Sequence, residues 1–233
     1  MYFLDISKLW DFSFFFNKQE ILDLVSGLFT TLSIALLGIV LGIIVGILLA
    51  IGKLVGNKLI RAIVTVYINF VRGTPLLLQL YMMYYVPGFI YNQLTGNSLG
   101  WSSYLIAFMA VGLNSAAYVA EIFRAGINSV DKGQFEAASS LGLDYKASLR
   151  LIILPQAIKN IMPALGNEFI SLTKETAIVS VIGAKDLMFF SKQAANITYN
   201  PFAPLFMAGI LYFIVVYCLT KLVGLMEARF VND

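Results

Sequence analysis

The chain has 233 residues, of which 59% are apolar and 12% are charged, with a net charge of +3. A soluble domain carries about a quarter charged residues, so apolar surface on this scale has to face lipid, and the small positive balance gives no reason to expect a nucleic-acid partner. Histidine is absent and Cys218 is the single cysteine, which excludes Ser-His and Cys-His nucleophilic sites, the commonest metal ligand and an internal disulfide.

Residues 1–24 mix Asp5, Asp11, Glu20 and Asp23 with Trp10 and several phenylalanines. A cleaved signal wants basic residues, a short apolar core and then small residues. The segment instead reads as an amphipathic helix lying at the membrane surface, with a disordered leader as the alternative. A spanning helix needs about 20 apolar residues, and five stretches supply them: 27–52, 62–91, 104–120, 161–183 and 201–226. The second is interrupted by Arg72-Gly73-Thr74-Pro75, and the fourth carries Glu168, Lys174 and Glu175. The expected fold is all-α and integral to the membrane: five transmembrane helices plus an N-terminal interfacial helix, in a single domain over residues 1–233 without internal repeats.

In the first span Gly38, Gly42 and Gly46 recur every fourth residue. They share one helix face and strip it of side chains, which lets another helix approach closely. The loops set the orientation. Eleven Lys and Arg follow the first, third and fifth spans or open the second, against Lys8, Lys18, Lys185 and Lys192 on the other side. The positive-inside rule puts the N-terminus outside and the C-terminus in the cytoplasm.

Residues 128–153 then form a cytoplasmic loop between the third and fourth spans. Gln134 to Leu141 are helix formers, with Glu136 read in the first turn, where an acid suits the helix dipole. Gly142 suits a left-handed stop. Asp144 can cap a second helix running through Leu151, and Pro155 marks the start of the fourth span. Phe135, Leu141 and Leu143 are available for contact. The loop holds no catalytic pair; it is either a docking surface or an ordinary structured connection.

Ionisable groups inside a span usually face an interior or a water-filled path. Glu121 and Arg124 are three apart and can pair on one helix face; they read as structural or coupling residues. Lys174 and Glu175 are adjacent and point apart. Glu168 follows Asn167, with Ser171 at i+3, and a carboxylate in a dehydrated cavity suits a guanidinium or ammonium group. The other reading pairs Glu168 with Lys174 or a backbone group. Asn114 and Ser115 in the third span, and Thr74 and Gln79 in the second, can line the same cavity. Thr74-Pro75 also reads as a plain helix kink, and Arg72 as a cytoplasmic-side anchor.

Glu136-Ala137-Ala138, then Gly142, then Ile152-Ile153-Leu154-Pro155 resemble the EAA loop of ATP-binding cassette importer permeases. FVRGTPLLLQL (70–80), NSAAYVAEIFRAGI (114–127) and LPQAIKNIMPALGNEFISLTKETAIVSVIG (154–183) resemble the polar amino-acid branch of that family. Relatives usually read KDTSL where this chain has Lys174-Glu175-Thr176-Ala177-Ile178, which lengthens one acid and removes a hydroxyl. The resemblance covers about residues 20–228. It implies the five-span type I importer core in a bacterial inner membrane. It also implies ATPase subunits docked through Glu136, Ala137, Ala138, Gly142 and Leu143, an external amino-acid-binding protein, and a second permease copy or paralogue. ATP and Mg would sit on the ATPase; no phosphate loop or cofactor is expected in this chain. The cargo implied is a polar and, from Glu168, basic amino acid, with glutamine or glutamate as the alternative. A secondary carrier would usually show an internal repeat. An intramembrane enzyme lacks the residues it would need: there is no histidine, and the assigned spans hold no Asp. A channel leaves the loop unexplained.

Overall fold

The structure is a computed structural model and describes residues 17–232, with side chains through 228. Most of the expected interfacial segment, residues 1–16, lies outside the described residues. Residues 18–24 form the first turns of a long helix, α1 (Lys18–Val55), whose start is capped by Asn17 Oδ1 accepting from Gln19 N–H at 3.0 Å. There follow α2 (Lys58–Gly73), α3 (Leu76–Thr95), α4 (Ser103–Asn128), α5 (Lys132–Ser140), α6 (Tyr145–Ser148), α7 (Leu154–Glu175), α8 (Leu187–Thr198) and α9 (Phe202–Asn232). The described residues contain no strand. In a bilayer this follows from the need to satisfy every backbone polar group inside its own segment.

Three segments, Lys18–Val55, Ser103–Asn128 and Phe202–Ala228, are long and apolar enough to cross a membrane. A fourth results if α2 and α3 count as one broken span. The break falls where the sequence places it: Thr74 and Pro75 both take extended backbone, with ψ of 148° and 137°. Proline lacks an N–H and pushes the preceding residue out of the helical region. The Thr74 hydroxyl turns back to donate to the Phe70 carbonyl at 2.8 Å. The fourth expected stretch, 161–183, is the polar one. Its helix, α7, ends at Glu175 and tightens into a 3-10 turn (Thr176–Ile182) that stops at Gly183, φ +79°.

The chain divides into two compact units. The first holds Met1–Gly38, Pro75–Val111 and Ser171–Cys218; the second holds Ile39–Thr74, Gly112–Ile170 and Leu219–Asp233. Within the first, α3 and α8 pack on the 3-10 turn around buried Leu80, Val179, Ile182 and Leu187. The Tyr104 hydroxyl donates to Ser33 Oγ at 2.9 Å. The second has two apolar clusters. Val64, Ile68 and Val71 of α2 meet Ala117 and Ala120 of α4, and Val130 meets Ile153, Ala157 and Ile161. The small side chains of α4 let the helices come close, and the glycine face of α1 does the same. A Cβ on Gly42 would stand 2.9 Å from Ser115 Oγ, and one on Gly46 2.6 Å from Val119.

Candidate functional site

The loop between α4 and α7 is built from short capped pieces. Asp131 caps α5, its carboxylate accepting from Gly133 N–H at 2.7 Å. The helix therefore starts two residues before the expected Gln134, and Glu136 lies past its first turn; the favourable dipole contact belongs to Asp131 instead. At the other end Gly142 has φ +82°. Leu143 N–H donates to Ala138 O at 3.1 Å and Gly142 N–H to Ser139 O at 3.0 Å, the bonds that close a helix on a left-handed glycine. Nothing stands within 4 Å of where a Gly142 Cβ would be; backbone conformation alone requires the glycine.

Asp144 then caps α6, accepting from Ala147 N–H at 2.7 Å. The expected second helix through Leu151 is only one turn long. It widens into a π turn (Leu149–Ile153), in which Leu154 N–H donates to Leu149 O, five residues back. That widening takes the carbonyls out of α register just ahead of Pro155, whose ring would clash with the carbonyl four residues earlier. The chain runs on into α7 without a break.

Phe135 is half-buried on the Val130–Ile153 cluster and stacks on Tyr145 at 5.8 Å. It holds the loop in shape rather than facing outward. Asn160 Nδ2 donates to Ser129 Oγ at 2.8 Å and so ties α7 to the start of the loop. Of the five coupling residues expected, Glu136, Ala137 and Gly142 face solvent, Leu143 is half-buried and Ala138 is fully buried. Leu141 was expected only as an available contact, yet it is 80% exposed beside them.

Among the polar residues expected along a path, Ser115 and Glu168 meet: the Ser115 hydroxyl donates to Glu168 Oε1 at 2.8 Å. Ser115 is fully buried and Asn114 is 5% exposed. Gly42 makes room for Ser115, so the glycine face read as packing alone also positions the partner of Glu168. Asn167 is exposed. Asn114, Ser115, Asn167, Glu168 and Thr74 belong to the second unit, while Ser171 and Gln79 belong to the first. Lys174 and Glu175 are both exposed.

Two further constellations stand out. Glu121 binds Arg124 Nε at 2.8 Å, as the spacing predicts, and also Lys53 Nζ at 2.6 Å, with Arg72 at 3.9 Å. Sequence spacing cannot show the last two contacts because they come from other helices. Asp186 escaped the sequence reading altogether. It is fully buried just beyond the 161–183 stretch and caps α8 by accepting from Phe189 N–H at 2.8 Å. The Tyr212 hydroxyl reaches it at 3.5 Å, and the next residue's N–H, Leu187, donates to Thr31 Oγ1 at 3.2 Å. Burial pushes its carboxyl up to about 6, against the opposing pull of the Phe189 and Met188 N–H groups and Lys192. The available signal was Gly183 followed three residues later by an Asp ahead of an apolar run.

A family model described as binding-protein-dependent transport system inner membrane component matches residues 38–232. The chain is 39% identical over 212 residues to the putative glutamine transport system permease protein GlnP of Rickettsia felis, covering 91% of this chain and 94% of that one. It is 50% identical over 155 residues to the arginine transport system permease protein ArtQ of Bacillus subtilis, 66% of this chain and 68% of that protein. A crystal structure of an amino acid ABC transporter with histidines superposes with a TM-score of 0.84 at 40% identity, covering 93% of this chain and 98% of that one.

Proposed function

Since the chain belongs to the family of binding-protein-dependent transport system inner membrane components, we propose that it forms the translocation path of an importer for polar, preferentially basic, amino acids. It is a multi-pass inner membrane protein and the non-catalytic subunit of an ATP-binding cassette transporter. In our reading residues 1–233 act as one permease domain with five spans, α7 carrying the fourth of them and α9 the fifth. The polarity of α7 is tolerable there because the polar side faces a path, not lipid. The N-terminus lies outside and the C-terminus in the cytoplasm. A second copy or a paralogue completes the path, and an external binding protein delivers cargo. ATP and Mg are held by two ATPase subunits. This chain needs no cofactor.

The observation that carries the coupling role is the loop: a rigid, doubly capped turn that presents Glu136, Ala137, Leu141 and Gly142 to solvent while Ala138 and Phe135 anchor it. A surface held that firmly can transmit a push. When the ATPase pair closes, it moves the loops, and α4 and α7 move with them; hydrolysis reverses the motion and releases cargo inside. The basic cargo rests on Glu168, set by Ser115 into fixed geometry, which suits a guanidinium or ammonium group. The arginine system permease among the relatives agrees with this reading, and the glutamine permeases favour the alternative of a neutral cargo.

The test is ATP hydrolysis by the chain with its ATPase in lipid vesicles, with binding protein and a panel of amino acids. Stimulation by arginine, lysine or histidine, lost selectively in Glu168→Gln, supports the basic cargo. Stimulation by glutamine, unaltered in Glu168→Gln, returns Glu168 to a structural role and leaves the importer standing.

A further inference from the structure

Glu121 is the one carboxylate among the described residues within ion-pair distance of Lys53, Arg72 and Arg124. Three positive charges from α1, α2 and α4 thus surround one negative charge, a surplus of two. Their side chains are 24%, 45% and 40% exposed, so none is fully hydrated. A local surplus of positive charge, only partly screened by water, attracts a counter-charge. The spare donors are well defined. The Arg72 guanidinium makes no hydrogen bond among the described residues and lies over the Tyr118 ring at 5.4 Å. Arg124 commits only its Nε to Glu121. Two guanidinium forks with free edges match the oxygens of a phosphate, which they bind bidentately.

The helices that carry these groups also expose apolar side chains, Val55 of α1 at 63% and Val66 and Phe70 of α2 at 68% and 55%. A free phosphate makes no use of such surface; a lipid does. α2 has the composition of an interfacial helix, with Lys58, Arg61 and Arg72 on one flank and Leu59, Ile63, Val66 and Phe70 on another. Basic pockets between membrane helices on the cytoplasmic side hold anionic headgroups.

We propose that Arg72 and Arg124, set in place by Glu121, bind the phosphodiester of an anionic phospholipid whose acyl chains lie along the exposed apolar flanks of α1 and α2. The leaflet concerned, the cytoplasmic one, rests on the orientation proposed above; the binding itself does not.

The experiment is native mass spectrometry of the full-length chain with its ATPase in mild detergent, titrated with phosphatidylglycerol or with phosphatidylcholine of the same acyl chains. Expected is preferential retention of phosphatidylglycerol, falling about fivefold in each of Arg72→Gln and Arg124→Gln, the loss that ~1 kcal/mol per basic group at an anionic surface corresponds to, with partial recovery in Arg72→Lys. Equal retention of the two lipids by the unaltered chain overturns the proposal without recourse to any variant. So does phosphatidylglycerol retention that both variants leave unchanged. Displacement of the lipid by millimolar inorganic phosphate would assign the site to a free anion and overturn the lipid. Orientation enters none of these readings, so the topology of the importer can fail independently, in a cysteine-accessibility assay on intact cells.

Discussion

Gly142-Leu143-Asp144 and Gly183-Ala184-Lys185-Asp186 are written in the same local language. Each begins with a glycine in the left-handed region, at φ +82° and +79°, and each ends with an aspartate that caps the next helix. Their surroundings are opposite. Around Asp144 the chain is open to solvent, and Leu141 stands 80% exposed; Asp186 is fully buried beneath Thr31 and Tyr212. One turn is therefore available to a partner, and the other is a joint inside its own unit. Water can replace a capping carboxylate at the first and cannot at the second.

The largest effect expected from that difference is at Asp186. Asp186→Ala removes a buried acceptor, leaves the part-buried Phe189 N–H without its cap and costs about 2–3 kcal/mol of stability. Asp186→Asn keeps an acceptor and sheds the buried charge, so it should melt close to the unaltered protein. The pH dependence sharpens the point. The folded carboxyl titrates near 6 because burial penalises the anion, above the roughly 3.9 of an unfolded aspartate. The folded state then holds the proton more tightly, so its contribution makes the protein more stable as pH falls from 6 toward 4. Melting temperatures in detergent at pH 7, 6 and 5, taken as the difference from Asp186→Asn, read that slope directly. A flat difference means that Asp186 is better solvated than its burial indicates.

Next in size is Gly142→Val, which forces a β-branched residue into left-handed backbone at a cost of roughly 1–2 kcal/mol. The chain should still insert, while ATP-driven uptake is lost because the exposed surface is displaced. Gly142→Asn tolerates this conformation and should recover most of the uptake; failure to do so would point to contact with the missing side chain instead of backbone geometry.

The cap at Asp144 is worth less. Asp144→Ala should cost about 1 kcal/mol, visible in the same melting experiment as a clearly smaller shift than that of Asp186→Ala. Equal shifts would erase the contrast between the two turns. Smallest of all is Leu141→Ser, which should leave the melting temperature within error, since surface changes usually lie within about 0.5 kcal/mol. Co-purification of the ATPase should nevertheless drop several-fold. Unimpaired co-purification would remove Leu141 from the docking surface.

The loop was legible because its signals are short-range. Gly142, Asp144 and the break at Thr74-Pro75 act on their own backbone, and the structure has all three where the sequence put them. Element ends were less so: α5 begins at Lys132, behind its Asp131 cap, not at Gln134, because the residues from Asp131 to Gln134 offer more than one helix start. The polar set was legible only in part. Ser115 and Glu168 were both singled out, yet their hydrogen bond depends on α1 yielding space at Gly42, a relation among three helices.

What the sequence determined by itself is the membrane class, the positions of the turns and caps, and the family motifs, since each follows from composition or from residues within one or two turns of each other. What only the tertiary structure decided is which partners the intramembrane and buried acids take: Ser115 for Glu168, Lys53 and Arg72 for Glu121, Phe189 N–H and Tyr212 for Asp186. Lys53 and Glu121 are 68 residues apart in the chain. A charge that leaves water must be compensated, and no local rule says which helix will supply the compensation until the helices have packed.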